Sequence, residues 1–150
     1  MRHEDLRDEE CPIARSSAIL GERWVWLILR AAFNGARRFE DYQQGTGAAR
    51  TMLADRLGLL VAQGILEKRL PSGATSGHRE YRLTDKGFAL FPAYLALVEW
   101  GNTWTGLETP VTVEHVGCGR HTHPTVVCSV CREPLAARTT RAQIPRMSRG

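Results

Sequence analysis

No apolar stretch in the 150-residue chain approaches the roughly 20 residues that a membrane-spanning helix needs. The longest candidate, residues 24–33, is broken by Arg30 and reads as a core helix. The N-terminus has the wrong composition for a secretory leader, since Arg2 and Arg7 stand against Glu4, Asp5, Asp8, Glu9 and Glu10. No membrane partner is therefore expected, and the expected compartment is the cytoplasm. Also missing are a Ser/His/Asp set for nucleophilic catalysis and a glycine-rich loop that could cradle phosphates. Their absence argues against an enzyme. No internal repeat or low-complexity tract is evident, and no polar cluster names a small-molecule effector.

Cysteine is sparse and unevenly placed. Cys11 stands alone, whereas Cys118, Cys128 and Cys131 fall close together near the other end. In a reducing compartment such a cluster points to a metal site or redox chemistry before a disulfide framework. The net charge of +4 is modest, but Arg132, Arg138, Arg141, Arg146 and Arg149 face only Glu133 at the C-terminal end. The length allows one main domain and a small appendage.

The first ten residues read as a charged, poorly ordered arm. Residues 11–21 read as a short helix stopped by Gly21, and residues 22–35 as a strongly apolar helix stopped by Asn34 and Gly35. Residues 36–47 form a third, short helix with Phe39 and Tyr42 on one face. In the fourth, residues 48–64, Leu53, Leu57, Leu60 and Val61 make one buried stripe. Its opposite face carries Thr51, Ala54, Asp55 and Gly58. The period then changes. Residues 65–71 and 78–84 alternate as strands around a polar turn containing Gly73 and Gly77, which predicts a β-hairpin. Thr84 is the expected cap of a long helix to Trp104, with Pro92 predicting a kink or a late start. Within it Phe88, Phe91, Leu95 and Val98 repeat as a seam, read equally well as core or as subunit interface.

Helix, helix, helix, hairpin, helix is the order of a winged helix. One helix must protrude into the major groove while nearby cations grip phosphates on either side. The fourth helix suits the groove, having a thin outer face with Arg50 and Thr51 in its first turn. Arg37 and Arg38 open the preceding helix, where backbone N–H groups also favour phosphate. Lys68, Arg69, His78 and Arg79 flank the hairpin turn, where a wing would touch DNA. Arg56 falls toward the buried side and reads as a strut holding the fourth helix to its domain.

The run Cys11-Pro12, Arg23-Trp24, Ile28-Leu29-Arg30, Arg37-Arg38-Phe39, then Met52-Leu53, Asp55-Arg56-Leu57, Gly64-Ile65, and finally Glu80-Tyr81-Arg82-Leu83-Thr84, Lys86-Gly87, Pro92 and a later Trp resembles the HxlR-type regulators. The likeness spans Cys11 to Trp104. It implies a MarR-like, homodimeric winged-helix regulator of bacteria that binds double-stranded operator DNA without being an enzyme. By resemblance, the fourth helix reads bases, the hairpin is the wing, and the first and last helices build the dimer. The family usually carries Ile-Ser where this chain has Ala48 and Ala49, so the serine that would cap the recognition helix is missing. Cys11 matches the N-terminal cysteine that is a thiol switch in several members. An oxidant or small-molecule effector is thereby implied.

His115-x2-Cys118 and Cys128-x2-Cys131 have the spacing of two knuckles of a structural zinc site. His121 and His123 compete with His115 for the fourth place, and a Cys128–Cys131 disulfide is the contrary reading. A thiol–disulfide active protein using Cys128-x2-Cys131 is the alternative function, although no thioredoxin-like βαβ pattern surrounds the pair. The expected fold class is α+β, mostly α. A winged-helix DNA-binding and dimerisation domain should cover residues 11–107, a zinc-ribbon-like tail 111–136, and a basic, flexible tail 137–150.

Overall fold

A computed structural model describes residues 10–143. The charged arm expected at the start and the last residues of the basic tail lie outside them. The chain forms two compact units, one up to Tyr94 and one from Leu95 onward.

The first unit is a winged helix. Its helices are α1 (Pro12–Leu20), α2 (Arg23–Phe33), α3 (Phe39–Thr46) and α4 (Arg50–Ala62). A hairpin of β1 (Leu66–Arg69) and β2 (Glu80–Leu83) follows, then the short α5 (Asp85–Phe88) and the start of α6 (Phe91–Trp104). The strands are antiparallel, with Leu66 opposite Leu83 and Arg69 opposite Glu80. The core is built by period. Val25, Ile28, Leu29 and Ala32 place one face of α2 inward, and Leu53, Leu57 and Leu60 do the same for α4. Tyr42, Ile65, Leu66 and Leu83 close the space between them. Truncating any of the buried leucines to Ala should cost about 2–5 kcal/mol.

Between α3 and α4 the chain turns sharply at Gly47, whose φ of 68° is left-handed and whose N–H donates to the Gln43 carbonyl at 2.8 Å. At the far side of the hairpin Thr84 caps α5 as expected, accepting from the Gly87 N–H at 3.2 Å. Its hydroxyl donates to the Gly64 carbonyl at 2.6 Å, and its own N–H donates to Ile65 at 3.1 Å. Gly87 then packs so closely that a Cβ would collide with the Ile65 carbonyl oxygen. Thr84 and Gly87 thus bolt the wing's exit to the end of α4. The long last helix is in fact two, broken at Ala89 and Leu90, with Pro92 in the first turn of the second, where its missing N–H costs nothing.

The second unit holds the rest of α6 and a loop-rich tail. Asn102 clamps Val111 in both directions, its Nδ2 donating to the carbonyl at 2.7 Å and its Oδ1 accepting from the N–H at 2.9 Å. Strands β3 (Val113–His115) and β4 (Arg120–Thr122) pair antiparallel, and Val127 bridges Pro134 in a second, smaller hairpin. Among the described residues no helix is long and apolar enough to cross a membrane.

Candidate nucleic-acid interface

Helix α4 has two distinct faces. Leu53, Leu57 and Leu60 are fully buried, while Arg50, Thr51, Ala54, Asp55 and Gly58 are exposed. Side chains on the outer face are short beyond the first turn, so little stands between that face and an approaching duplex. Arg56 is turned the other way and pairs with Glu22 at 2.8 Å, tying α4 to the entrance of α2. Its Nε is buried without a hydrogen-bond partner.

Arg50 is not loose. Its guanidinium lies 4.8 Å above the Phe39 ring and donates to Gln43 Oε1 at 3.1 Å. Phe39, known from the sequence only as part of the α3 face, and Gln43, which the sequence did not single out, therefore aim the first cation of the recognition helix. Ala49, the residue at the N-cap of α4, has no side-chain bond to the helix, as the missing serine implied.

Arg37 and Arg38 lie before α3, not within it, because the helix begins at Phe39. Their backbone N–H groups are already taken: Asp41 Oδ2 accepts from both, at 3.0 and 2.8 Å. Those two bonds, Arg38's first, hold the Asp41 carboxyl below its ordinary pKa. The expectation that these backbone donors greet phosphate is thus corrected. A carboxylate three to four residues on satisfies them, and only the side chains of Arg37 and Arg38 remain for DNA. The Arg37 carbonyl accepts from the Tyr81 N–H at 2.7 Å, which joins the α3 entrance to the wing.

Next to that junction a cleft of about 580 Å³ is lined by Arg38, Phe39, Glu40, Pro71, Ser76, His78, Arg79 and Tyr81. Three of the residues picked from the sequence, Arg38, His78 and Arg79, meet there. Glu40 was not foreseen; it gives the cleft one opposing charge. Lys68 and Arg69 lie on β1 outside the cleft. Lys68 Nζ sits 5.3 Å from the Tyr81 ring centroid, and Arg69 pairs with Glu67 at 2.8 Å. Both are exposed, so these contacts can be exchanged for phosphate at small cost.

Residues 19–109 match the family model for HxlR-like helix-turn-helix proteins. The chain belongs to this family. An uncharacterized HTH-type transcriptional regulator of Mycobacterium tuberculosis is 38% identical over 128 residues, which cover 84% of this chain and 80% of the relative. The crystal structure of PA1607, described as a candidate transcription factor, matches with a TM-score of 0.84 at 36% identity, over 93% of this chain and 98% of that one. The reduced form of the transcriptional regulator YodB from B. subtilis matches with a TM-score of 0.55 at 29% identity, over 65% of this chain and 97% of that one. HxlR-like proteins are DNA-binding transcription regulators, not enzymes, which removes the thiol–disulfide alternative. In this HxlR-like chain Cys128 and Cys131 sit in the turn of a small hairpin closed by Val127 and Pro134.

Cys11 is exposed and occupies the N-cap of α1, its carbonyl accepting from the Arg15 N–H at 3.0 Å. In the tail, His115 Nδ1 and Cys118 Sγ approach to 3.4 Å. The backbone N–H of Cys131, then that of Val130 and the Cys131 thiol, converge on Cys128 and hold its pKa below the ordinary value. Neither His121 nor His123 joins a cluster, and among the described residues no three His, Cys, Asp or Glu side chains converge on one point.

Proposed function

We propose that the chain is a sequence-specific operator-binding regulator that acts as a homodimer. In this reading α4 lies in the major groove, with Arg50 and Thr51 reaching base edges. Arg37, Arg38, Lys68, Arg69, His78 and Arg79 grip phosphates on either side. The observation that carries it is the division of α4 into a buried leucine face and a bare outer face that starts with an aimed arginine. Arg50→Ala should then abolish preference for the operator over random DNA. Arg37→Ala and Arg79→Ala should weaken both alike and flatten the salt dependence by about one unit each. Equal effects of all three on operator and random duplexes would place the reading helix elsewhere.

The dimer is supported by apolar surface that a monomer would leave wet. Leu97, Trp100 and Trp104 recur along one face of α6 and are 47%, 60% and 72% exposed, and Ile13 on α1 is 74% exposed. Sedimentation should give twice the mass of one chain, and Trp100→Glu should give a monomer. A monomeric parent at micromolar concentration refutes the dimer.

A second element of the reading is an oxidant effector acting on Cys11. It rests on the exposure of that thiol at a helix N-cap and on the likeness to YodB, a regulator solved in reduced, diamide-treated and quinone-bound forms.

A further inference from the structure

The two x2 pairs of the tail occupy equivalent places in two successive hairpins. In the first, β3 and β4 flank a turn that begins at His115 and carries Cys118. Gly119, the fifth residue from His115, is left-handed at φ 65° and donates its N–H back to the His115 carbonyl at 2.8 Å. In the second, the bridge between Val127 and Pro134 flanks a turn that begins at Cys128 and carries Cys131. Arg132, again the fifth residue, is left-handed at φ 65° and donates back to the Cys128 carbonyl at 3.0 Å. Arg132 is the one non-glycine residue at positive φ among the described residues, so the turn geometry is imposed at that point despite the side chain.

The donor spacing in the first turn has the size a tetrahedral ion asks for. Bonds of about 2.3 Å to sulfur and 2.0–2.1 Å to imidazole nitrogen, opened to a tetrahedral angle, separate the two donors by roughly 3.5 Å. His115 Nδ1 and Cys118 Sγ are 3.4 Å apart. Gly117 makes this approach possible, since a Cβ there would lie 3.0 Å from Cε1 of the His115 ring. In the second turn, the Cys128 N–H donates to the Glu133 carbonyl at 2.9 Å, closing the hairpin that carries both cysteines.

We propose that His115, Cys118, Cys128 and Cys131 together hold one thiophilic divalent cation, zinc by the softness of the donor set, with each hairpin tip supplying a preshaped half of the site. This goes beyond the operator-binding reading and does not depend on it. Because no three donors converge among the described residues, the ion must draw the two tips together. Binding therefore orders the tail as well as filling a site. The tail can use that energy, because nearly all of its side chains are exposed and it buries little of its own.

The test uses the full-length protein, stripped by chelator under reductant and titrated with cobalt(II). The proposal expects saturation at one cobalt per chain, thiolate charge-transfer and tetrahedral ligand-field bands, and loss of both on adding zinc. Amide hydrogen exchange in residues 111–136 should slow on loading. Cys128→Ser and His115→Ala should each weaken affinity by at least 100-fold, and Gly117→Ala by about 10-fold with stoichiometry unchanged. Absence of thiolate–cobalt bands overturns the site. So does saturation at half an equivalent, which would mean an ion shared between two chains. Unchanged affinity in His115→Ala overturns the four-donor set. Operator binding enters none of these readouts, so failure here and failure of the regulator reading can be told apart.

Discussion

Adding the hydroxyl that the recognition helix lacks should stabilise the protein. Ala49 already has the extended backbone of an N-cap, φ −61° and ψ 140°, and its carbonyl accepts the first helical bond from the Leu53 N–H at 2.9 Å. No side chain caps the helix, so the N–H groups of Thr51 and Met52 have no side-chain acceptor at the cap. Ala49 is exposed, which leaves room for one more atom. A serine oxygen there can accept from the second or third helical N–H, and such caps contribute about 1 kcal/mol over alanine. For a unit of this size that corresponds to a rise of roughly 4–8 °C in midpoint. Thermal and urea unfolding followed by helical circular dichroism would read it in Ala49→Ser. Ala54→Ser is the control, on the same exposed face but mid-helix, where serine should cost a few tenths of a kcal/mol. A midpoint that is unchanged or lowered in Ala49→Ser, or raised equally in both variants, refutes the capping argument.

Gly87→Ala should cost upward of 2 kcal/mol, because its Cβ meets the Ile65 carbonyl and would lie 2.8 Å from Leu83 Cδ2; stability equal to the parent would show that the wing's exit is soft. Tyr42 is fully buried, and burial pushes its phenol up to about 12 from 10. Its neutral form therefore contributes stability that is present below pH 10 and lost as pH rises through 12, so Tyr42→Phe should flatten the alkaline loss. Identical denaturation midpoints against pH in parent and variant would contradict this. Asp41 runs the other way: its depressed pKa contributes stability above about 3.8 that fades as pH falls, and Asp41→Asn should lose most of that acid dependence. For Cys11, diamide should change operator affinity in the parent and leave Cys11→Ser unmoved; the same dose response in both would make the thiol a packing residue.

What could be read from the sequence was what is encoded locally. The two faces of α4 follow from leucine spacing, and the Thr84 cap and the Gly21 and Asn34 stops follow from the chemistry of single residues. What could not be read depends on rotamers and on breaks that rotate one stretch against the next. Asp41 reaches back over the turn to take two N–H groups, and nothing in the string Arg-Arg-Phe-Glu-Asp says which carboxylate will do so. The stripe Phe88, Phe91, Leu95 and Val98 runs across the place where Pro92 marks a kink or a late start. The break falls at Ala89 and Leu90, so Phe88 and Phe91 stand on different helices; both are exposed, Phe91 with its ring edge-on to Phe33 at 5.0 Å, and Leu97, Trp100 and Trp104 are exposed farther along α6. Arg50, found by position alone, owes its aim to Phe39 and Gln43, seven to eleven residues earlier.

The bond from the Tyr81 N–H to the Arg37 carbonyl also governs how the molecule would measure a duplex. It pins the root of the wing to the mouth of α3, while residues 70–79 beyond the strands have only a local turn from Pro71 to Ala74. The assembly works like callipers with a locked pivot and compliant jaw tips. Under the proposed operator-binding reading the root of the wing is set before DNA arrives, whereas His78 and Arg79, which lie beyond the strands, travel with the tips. The tips can then follow grooves of different width about a fixed root. Lengthening or trimming the loop should thus change how tightly any duplex is held, yet leave the length of the protected footprint the same.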